Sequence, residues 1–350
     1  MSDLKIFVTG GLGFIGSNYI LNKMTDSSVE ILNYDKITYA SNLENLSSIS
    51  SNSNYYFIKG DICDSQKLCK TIDDFKPEVI INFAAESHVD RSIDSPMEFI
   101  QTNVLGTTVL LEASFKYYQA LSDKNNFRFL HISTDEVFGE LGNSGRFNEN
   151  TSYLPNSPYS ASKASSDHLV RAWNKTFGLP ILISNCSNNF GPFQFPEKLI
   201  PLMIIKCLNQ EKLPVYGTGE NVRDWIHVLD HCSAIDSILS KGEIGNTYLI
   251  GSDNEKRNID IVTFICEYFN KINLIDDFDY KSLITFVSDR PGHDFRYAID
   301  NSKIKNDLGW EPKYSFEEGL RKTIDWYCDN KKWYQNLIKS NYLSRLGEIK

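Results

Sequence analysis

Two stretches of the chain combine residue types that move protons. Tyr159 and Lys163 lie four apart in Ser157-Pro158-Tyr159-Ser160-Ala161-Ser162-Lys163. On a helix that spacing puts both side chains on one face. An ammonium beside a phenol favours the phenolate and lowers its pKa from about 10 toward neutrality. Such a tyrosine can take a proton from an alcohol while hydride leaves the same carbon. Alone, the spacing is equally that of a solvated helix face. In the second stretch, Ser133-Thr134 offers a hydroxyl to hold the substrate oxygen, and Asp135-Glu136 follows it. Adjacent carboxyls form either a polar turn or a division of labour. In the latter, one stays protonated and donates to a leaving hydroxyl, and the other removes a carbon-bound proton.

A third stretch suits a phosphate-bearing ligand. Thr9-Gly10-Gly11-Leu12-Gly13-Phe14-Ile15-Gly16 contains G-x-G-x-x-G and, at Gly10, Gly13 and Gly16, G-x-x-G-x-x-G. Glycines permit a tight turn and let backbone N–H groups, such as those of Phe14 and Ile15, approach a pyrophosphate at a helix start. The plain alternative is a glycine turn serving helix–strand packing. Asp35 stands where a carboxylate accepts hydrogen bonds from an adenosine ribose. Its charge should repel a 2′-phosphate, favouring NAD over NADP, although Lys36 beside it carries the opposite charge. Asp61 and Ile62 would border the adenine, and the small Ala84 and Ala85 would let the cofactor pass closely.

These groups need a frame that brings distant strand ends together. Strand-like runs at 5–9, 29–34, 55–59, 79–83, 127–132 and 181–185 alternate with helical spacing from 14 onward, over 96–118 and over 157–177. That rhythm implies βαβ units and an α/β, Rossmann-type doubly wound parallel sheet. After residue 186 the segments shorten and Gly/Pro breaks multiply. The expected organisation is an NAD-binding domain over 1–186 carrying the catalytic residues. Residues 187–350 should form a smaller mixed α/β region for substrate, with some chain returning to the main sheet. A last helix is expected over 316–334.

Composition narrows the partners. The chain has 350 residues, 41% hydrophobic, with a formal charge of −9. Such a balance disfavours nucleic acid and anionic membrane surfaces as general partners. No run approaches the 18 or so apolar residues of a membrane span, and no leader pattern is visible. Seven scattered cysteines without C-x-x-C fit a reduced, cytoplasmic protein better than a disulfide framework or a zinc ribbon. His227 and His231 have metal-ligand spacing but no evident third ligand, so no metal is expected.

Together the blocks VTGGLGFIGSN (8–18), AAESHVDRSI (84–93), HISTDEVFG (131–139), SPYSASKASSDHLVRAW (157–173), SNNFGPFQFPEKLIPL (187–202), GENVRDWIHVLDH (219–231) and DRPGHDFRYAID (289–300) resemble the extended short-chain dehydrogenase/reductase superfamily. Within it, they are similar to the nucleotide-sugar 4,6-dehydratases acting on dTDP-glucose or UDP-glucose. The resemblance implies a bound NAD and oxidation at C4 by Tyr159 with Lys163 and Thr134. It implies removal of the C5 hydrogen by Glu136, protonation of the departing C6 oxygen by Asp135, and hydride return to C6. It also implies a nucleotide-sugar site at His88, Asn189, Glu197, Lys198, Leu199, Pro214, Tyr216, Arg223, Asn258, Arg290, His293 and Tyr297, and a homodimer formed by two long helices.

Phe138, Phe190, Phe193, His227 and Phe295 depart from the family pattern, leaving thymine or uracil open. A 4-epimerase or decarboxylase of the same superfamily would oxidise C4 without eliminating water. A non-catalytic NAD sensor would keep the fold alone. The Asp135-Glu136 pair argues against the first, and intact Thr134, Tyr159 and Lys163 argue against the second.

Overall fold

The computed structural model describes residues 4–272, 277–289 and 291–338; Arg290 lies outside them. Seven parallel strands form the central sheet: β1 (Leu4–Thr9), β2 (Val29–Asp35), β3 (Tyr55–Lys59), β4 (Val79–Asn82), β5 (Arg128–Thr134), β6 (Ile181–Cys186) and, from the second half of the chain, β10 (Thr247–Ile250). Their order is β10-β6-β5-β4-β1-β2-β3, and every adjacent pair is parallel. β1 runs between β2 and β4, so the strand order reverses beside it. Ligand crevices form at such a reversal.

The near-continuous apolar strands are explained by burial on both faces. Side chains alternate across a strand, so Ile6 and Val8 pack on one face with Ile20, Ile235 and Ile238. Phe7, between them, faces Leu68, Ile72, Leu110 and Leu111 on the other. Crossover helices therefore cover both sides.

The remaining strands lie outside this sheet. β7 (Asn188–Phe190), β9 (Val222–His227) and β11 (Glu255–Arg257) form a three-stranded sheet, and β8 (Leu213–Tyr216) pairs with β12 (Ile284–Val287). Their core gathers Trp225, Ile261, Ile265, Phe269, Leu320 and Ile324.

Two expected helices are interrupted. The segment expected over 96–118 runs as Pro96–Phe99, a widened π-helical stretch Ile100–Gly106, and Thr107–Ala120. A Cβ at Gly106 would lie 2.6 Å from Ile62 Cδ1, so a larger residue there would require the Ile62 side chain to move. π-Helical turns of this kind often accompany functional sites. The final helix divides at Asn330 into Phe316–Asp329 and Lys331–Ile338.

Candidate active site

A cleft of about 290 Å³ opens at the carboxyl ends of β1, β2, β4, β5 and β6. At one end is the glycine turn. Gly10 has φ 70°, and a Cβ there would lie 2.6 Å from Ala84 N. A Cβ on Gly16 would lie 2.6 Å from Gly10 O. Helix Phe14–Lys23 starts at Gly13 without a side-chain cap, so its first-turn N–H groups suit an anion.

Asp35 accepts from Leu12 N at 3.0 Å, Ile37 N at 2.8 Å and the Ser41 hydroxyl at 2.9 Å. It thus ties the glycine turn to the loop after β2. Burial raises its pKa against those hydrogen bonds. Lys36 Nζ lies 2.7 Å from Asp61 Oδ2. Ile62, Ala84 and Ala85 line the same wall. The glycine cradle, uncapped helix and carboxylate fit a dinucleotide.

At the other end, β5 delivers Thr134 and the turn Asp135–Phe138. Thr134 Oγ1 accepts from Glu136 N and donates to Asp135 Oδ1, each at 3.3 Å. Asp135 is buried, and its Oδ2 has no protein partner. Burial, then the negative charges of Glu136 and Asp224, push its carboxyl well above the usual range; Arg223 opposes them. An acid held this way keeps its proton to higher pH than a free carboxyl does.

Helix Pro158–Phe177 brings Tyr159 and Lys163 to the same wall. Ser157 and Ser160 close a capping box at its start, and Pro158 occupies the first turn, as helix starts favour. Tyr159 hydrogen-bonds Thr134. Its phenol differs from the sequence expectation. Burial and the Glu136 charge push it well above its ordinary value, and Lys163 is not among the groups that move it most. The lysine is engaged elsewhere: Nζ donates to Ile132 O at 2.8 Å and meets His131 Nε2 at 3.2 Å. Burial lowers Lys163 to about 8.

The expected substrate residues separate into groups. Asn189, Glu197 and Lys198 line the cleft, whereas the other described ones are not part of its wall. Glu197 holds three neighbours. Tyr39 donates to it at 3.2 Å, Arg91 Nε lies at 3.2 Å, and His88 Nε2 lies at 3.8 Å. Arg91 also stacks on Tyr39, 3.8 Å from the ring centre. This clasp joins the loops after β2, β4 and β7. Lys198 donates to Ser87 O at 3.0 Å, and Leu199 opens helix Leu199–Leu208.

Tyr216, two residues after Pro214 on β8, donates to Asp90 at 3.1 Å, with the His293 ring 6.0 Å away. Arg223 donates to the carbonyls of Val222, Phe295 and Asp294 and stacks on Tyr297 at 4.2 Å. Tyr297 in turn donates to Asp294. These two are buried against each other because the guanidinium finds backbone acceptors and a ring face there. Asn258 starts helix Asn258–Ile272, its N–H donating to Asn221 O at 3.0 Å. Phe190 and His227 pack against Gly319 and Phe316 in the core. His231 is hydrogen-bonded to Asn189 at 2.9 Å.

Sequence reasoning missed Tyr39, Arg91, Glu86, Thr102 and Gln194, and the buried pair His131 and Asp167. For Asp167 a signal existed: Tyr159, Lys163 and Asp167 make two successive i, i+4 steps on one helix face.

A family model described as GDP-mannose 4,6 dehydratase matches residues 7–323. A dTDP-glucose 4,6-dehydratase from Xanthomonas campestris pv. campestris (strain B100) is 53% identical over 344 residues, covering 97% of this chain and 98% of that protein. A dTDP-glucose 4,6-dehydratase structure from Bacillus anthracis str. Ames, in complex with NAD, has 46% identity and a TM-score of 0.85, covering 95% and 99% of the two chains. Another from Streptomyces venezuelae, with NAD and dTDP bound, has 39% identity and a TM-score of 0.87, covering 95% and 100%.

Proposed function

The chain belongs to the GDP-mannose 4,6 dehydratase family, and from that premise we propose that it converts dTDP-glucose to the 4-keto-6-deoxy-glucose nucleotide. It is an NAD-dependent hydro-lyase. The observation carrying the reading is one cleft wall that unites the glycine turn, the Thr134–Tyr159–Lys163 group and a buried, proton-retaining Asp135 beside Glu136.

NAD, when bound, supplies the hydride acceptor for C4 and the donor for C6. Tyr159 takes the 4-hydroxyl proton as phenolate, the form that the Lys163 ammonium on its helix face favours against the burial and Glu136 charge that oppose it, with Thr134 holding the same oxygen. The resulting 4-keto group acidifies the C5 hydrogen. Glu136 removes that proton, and Asp135 donates its own to the departing C6 oxygen, so water leaves across C5–C6; a solvent-exchanged proton then returns from Glu136 to C5 as C6 takes hydride. The acid's burial supports this assignment, because a proton donor must hold its proton until the bond breaks. Asn189, Glu197 and Lys198 hold the sugar and phosphates in this reading.

The protein acts as a homodimer in the cytoplasm. Ile93, Met97, Ile100 and Leu105 are 41%, 73%, 43% and 45% exposed along 89–106, an apolar stripe suited to a second copy. The seven cysteines are free, consistent with a reducing compartment. Among the described residues no helix is long and apolar enough to cross a membrane.

The test incubates the protein and NAD⁺ with dTDP-glucose or UDP-glucose in D₂O, followed by mass spectrometry and proton NMR. Loss of water, a 4-keto signal and deuterium at C5, faster with dTDP-glucose, are expected. Unchanged mass with inverted C4 would replace this reading with an epimerase. Faster turnover of UDP-glucose would change the nucleotide.

A further inference from the structure

Lys163 is a buried cation whose neighbours are mostly neutral. His131 beside it is held neutral, at about 4, chiefly by burial and then by the Lys163 charge. The Cys186 thiol nearby is pushed up to about 12. The anion of this cluster is Asp167, one helical turn beyond Lys163, with Oδ1 3.4 Å from His131 Nε2.

Surrounding polar groups prepare that carboxylate. Its Oδ2 accepts from Ser133 at 2.9 Å, Tyr153 at 2.7 Å and Asn185 at 3.1 Å. Arg171 donates to the Tyr153 hydroxyl at 2.7 Å. Hydrogen bonds to a charged acceptor favour its charged form, and Asp167 is held below its ordinary value despite complete burial.

The His131 ring they share is also oriented. Thr9 donates to Asn82 Oδ1 at 2.7 Å, so Asn82 turns its amide nitrogen toward His131 Nδ1 at 3.1 Å. That nitrogen must then accept, and Nε2 carries the ring proton toward Asp167. Asp167 also secures the other catalytic element. Ser133 precedes Thr134, and Asn185 donates to Thr134 O at 2.9 Å as well as to Asp167. One carboxylate thus ties the end of β5 to the helix bearing Tyr159 and Lys163.

We propose that Asp167 is a positioning residue of the reaction: converging with Lys163 on His131 Nε2, it is the counter-ion that keeps Lys163 charged, and it locks Thr134 in register with Tyr159. This rests on the dehydratase reading. A buried ammonium without its anion tends to lose its proton. Removing the charge at position 167 should therefore discharge Lys163 earlier as pH rises.

The experiment titrates Lys163 in the full-length protein by NMR of lysine labelled at the ε-carbon, its signal assigned by loss in Lys163→Met. Turnover of dTDP-glucose is followed over pH 6–10 in parallel. Asp167→Asn is expected to lower the Lys163 midpoint by about one unit or more, a tenfold change in its proton affinity. The alkaline fall of kcat should move the same way, with KM within about threefold, and Asp167→Glu should recover part of both. Asp167→Ser, which leaves room for water among the same donors, serves if the asparagine variant does not fold.

A purely structural role would lower kcat equally at every pH. A folded neutral variant with the wild-type midpoint overturns the inference and leaves the dehydratase reading intact. A wild-type protein without turnover, but with a midpoint that moves on neutralising Asp167, overturns that reading and supports the counter-ion.

Discussion

Lys36 Nζ sits 2.7 Å from Asp61 Oδ2, so the cation following Asp35 is paired with a second carboxylate at the glycine-turn end of the cleft. A 2′-phosphate would meet two negative charges and a compensated positive one. NAD should bind well ahead of NADP. Asp61→Asn should narrow that preference by about two- to fivefold, the scale of a partly exposed ion pair. Dissociation constants for both cofactors, measured by fluorescence, test this. An unchanged ratio would remove Lys36 and Asp61 from the selectivity.

Asp135 should trade stability for chemistry. Its folded-state pKa is raised, chiefly by burial, so the folded chain binds this proton more tightly than the unfolded chain. Its contribution to stability is present below the unfolded pKa and is lost as pH rises through the folded one. Asp135→Asn should consequently match or exceed the wild-type melting temperature at neutral pH while losing about 10²–10⁴ in kcat, the usual worth of acid catalysis. A melting temperature that falls along with activity would mean the carboxyl is structural.

The clasp of Tyr39 and Arg91 holds Glu197, which lines the cleft. Arg91→Ala removes both a ring stack and a partly buried charge pair. At about 1–3 kcal/mol for such contacts, NAD should leave roughly 10- to 100-fold faster. Rapid dilution of NAD-loaded protein, with release followed by fluorescence, gives the rate directly. Wild-type release would confine the clasp to holding loops together.

Acid should unfold the protein early. Burial holds His131 and His227 at about 4 and His231 at about 3. Lowered values mean that the unfolded chain takes up these protons first. Their stabilisation is full above about 6.5 and is lost as pH falls toward 4. Melting temperature should drop over that window, with a shallower slope in His231→Gln. Identical slopes would exclude His231 from the acid response.

Much of this architecture was legible because local pattern and global fold agree. Apolar runs such as 79–82 and 181–186 could only be strands buried on both faces, and the Ser-Pro-Tyr start of the long helix is its own cap. The glycine turn and the 133–136 block announce their positions, since both lie where a strand ends. The clasp was not legible: Tyr39 and Glu197 are separated by 158 positions, and nothing local marks either as the other's partner. The break in helix 96–118 escaped for a different reason. Its π-helical stretch ends at Gly106, which lies close to Ile62 on another loop, a tertiary contact without a periodic signature. The engagement of Lys163 was not legible either, because spacing gives the face a lysine occupies but not the acceptors its ammonium finds, here Ile132 O and His131.

The place of β10 in the sheet bears on how the chain is made. β6 is buried along its whole length, and its outer edge is covered by Thr247–Ile250, about 60 residues later in synthesis. At roughly 5–20 residues per second, the ribosome leaves that edge bare for several seconds. An apolar strand with unpaired N–H and C=O groups is adhesive toward other chains. The nascent protein therefore passes through an interval of vulnerability that the finished molecule conceals, and chaperone capture should concentrate on chains stalled between β6 and β10.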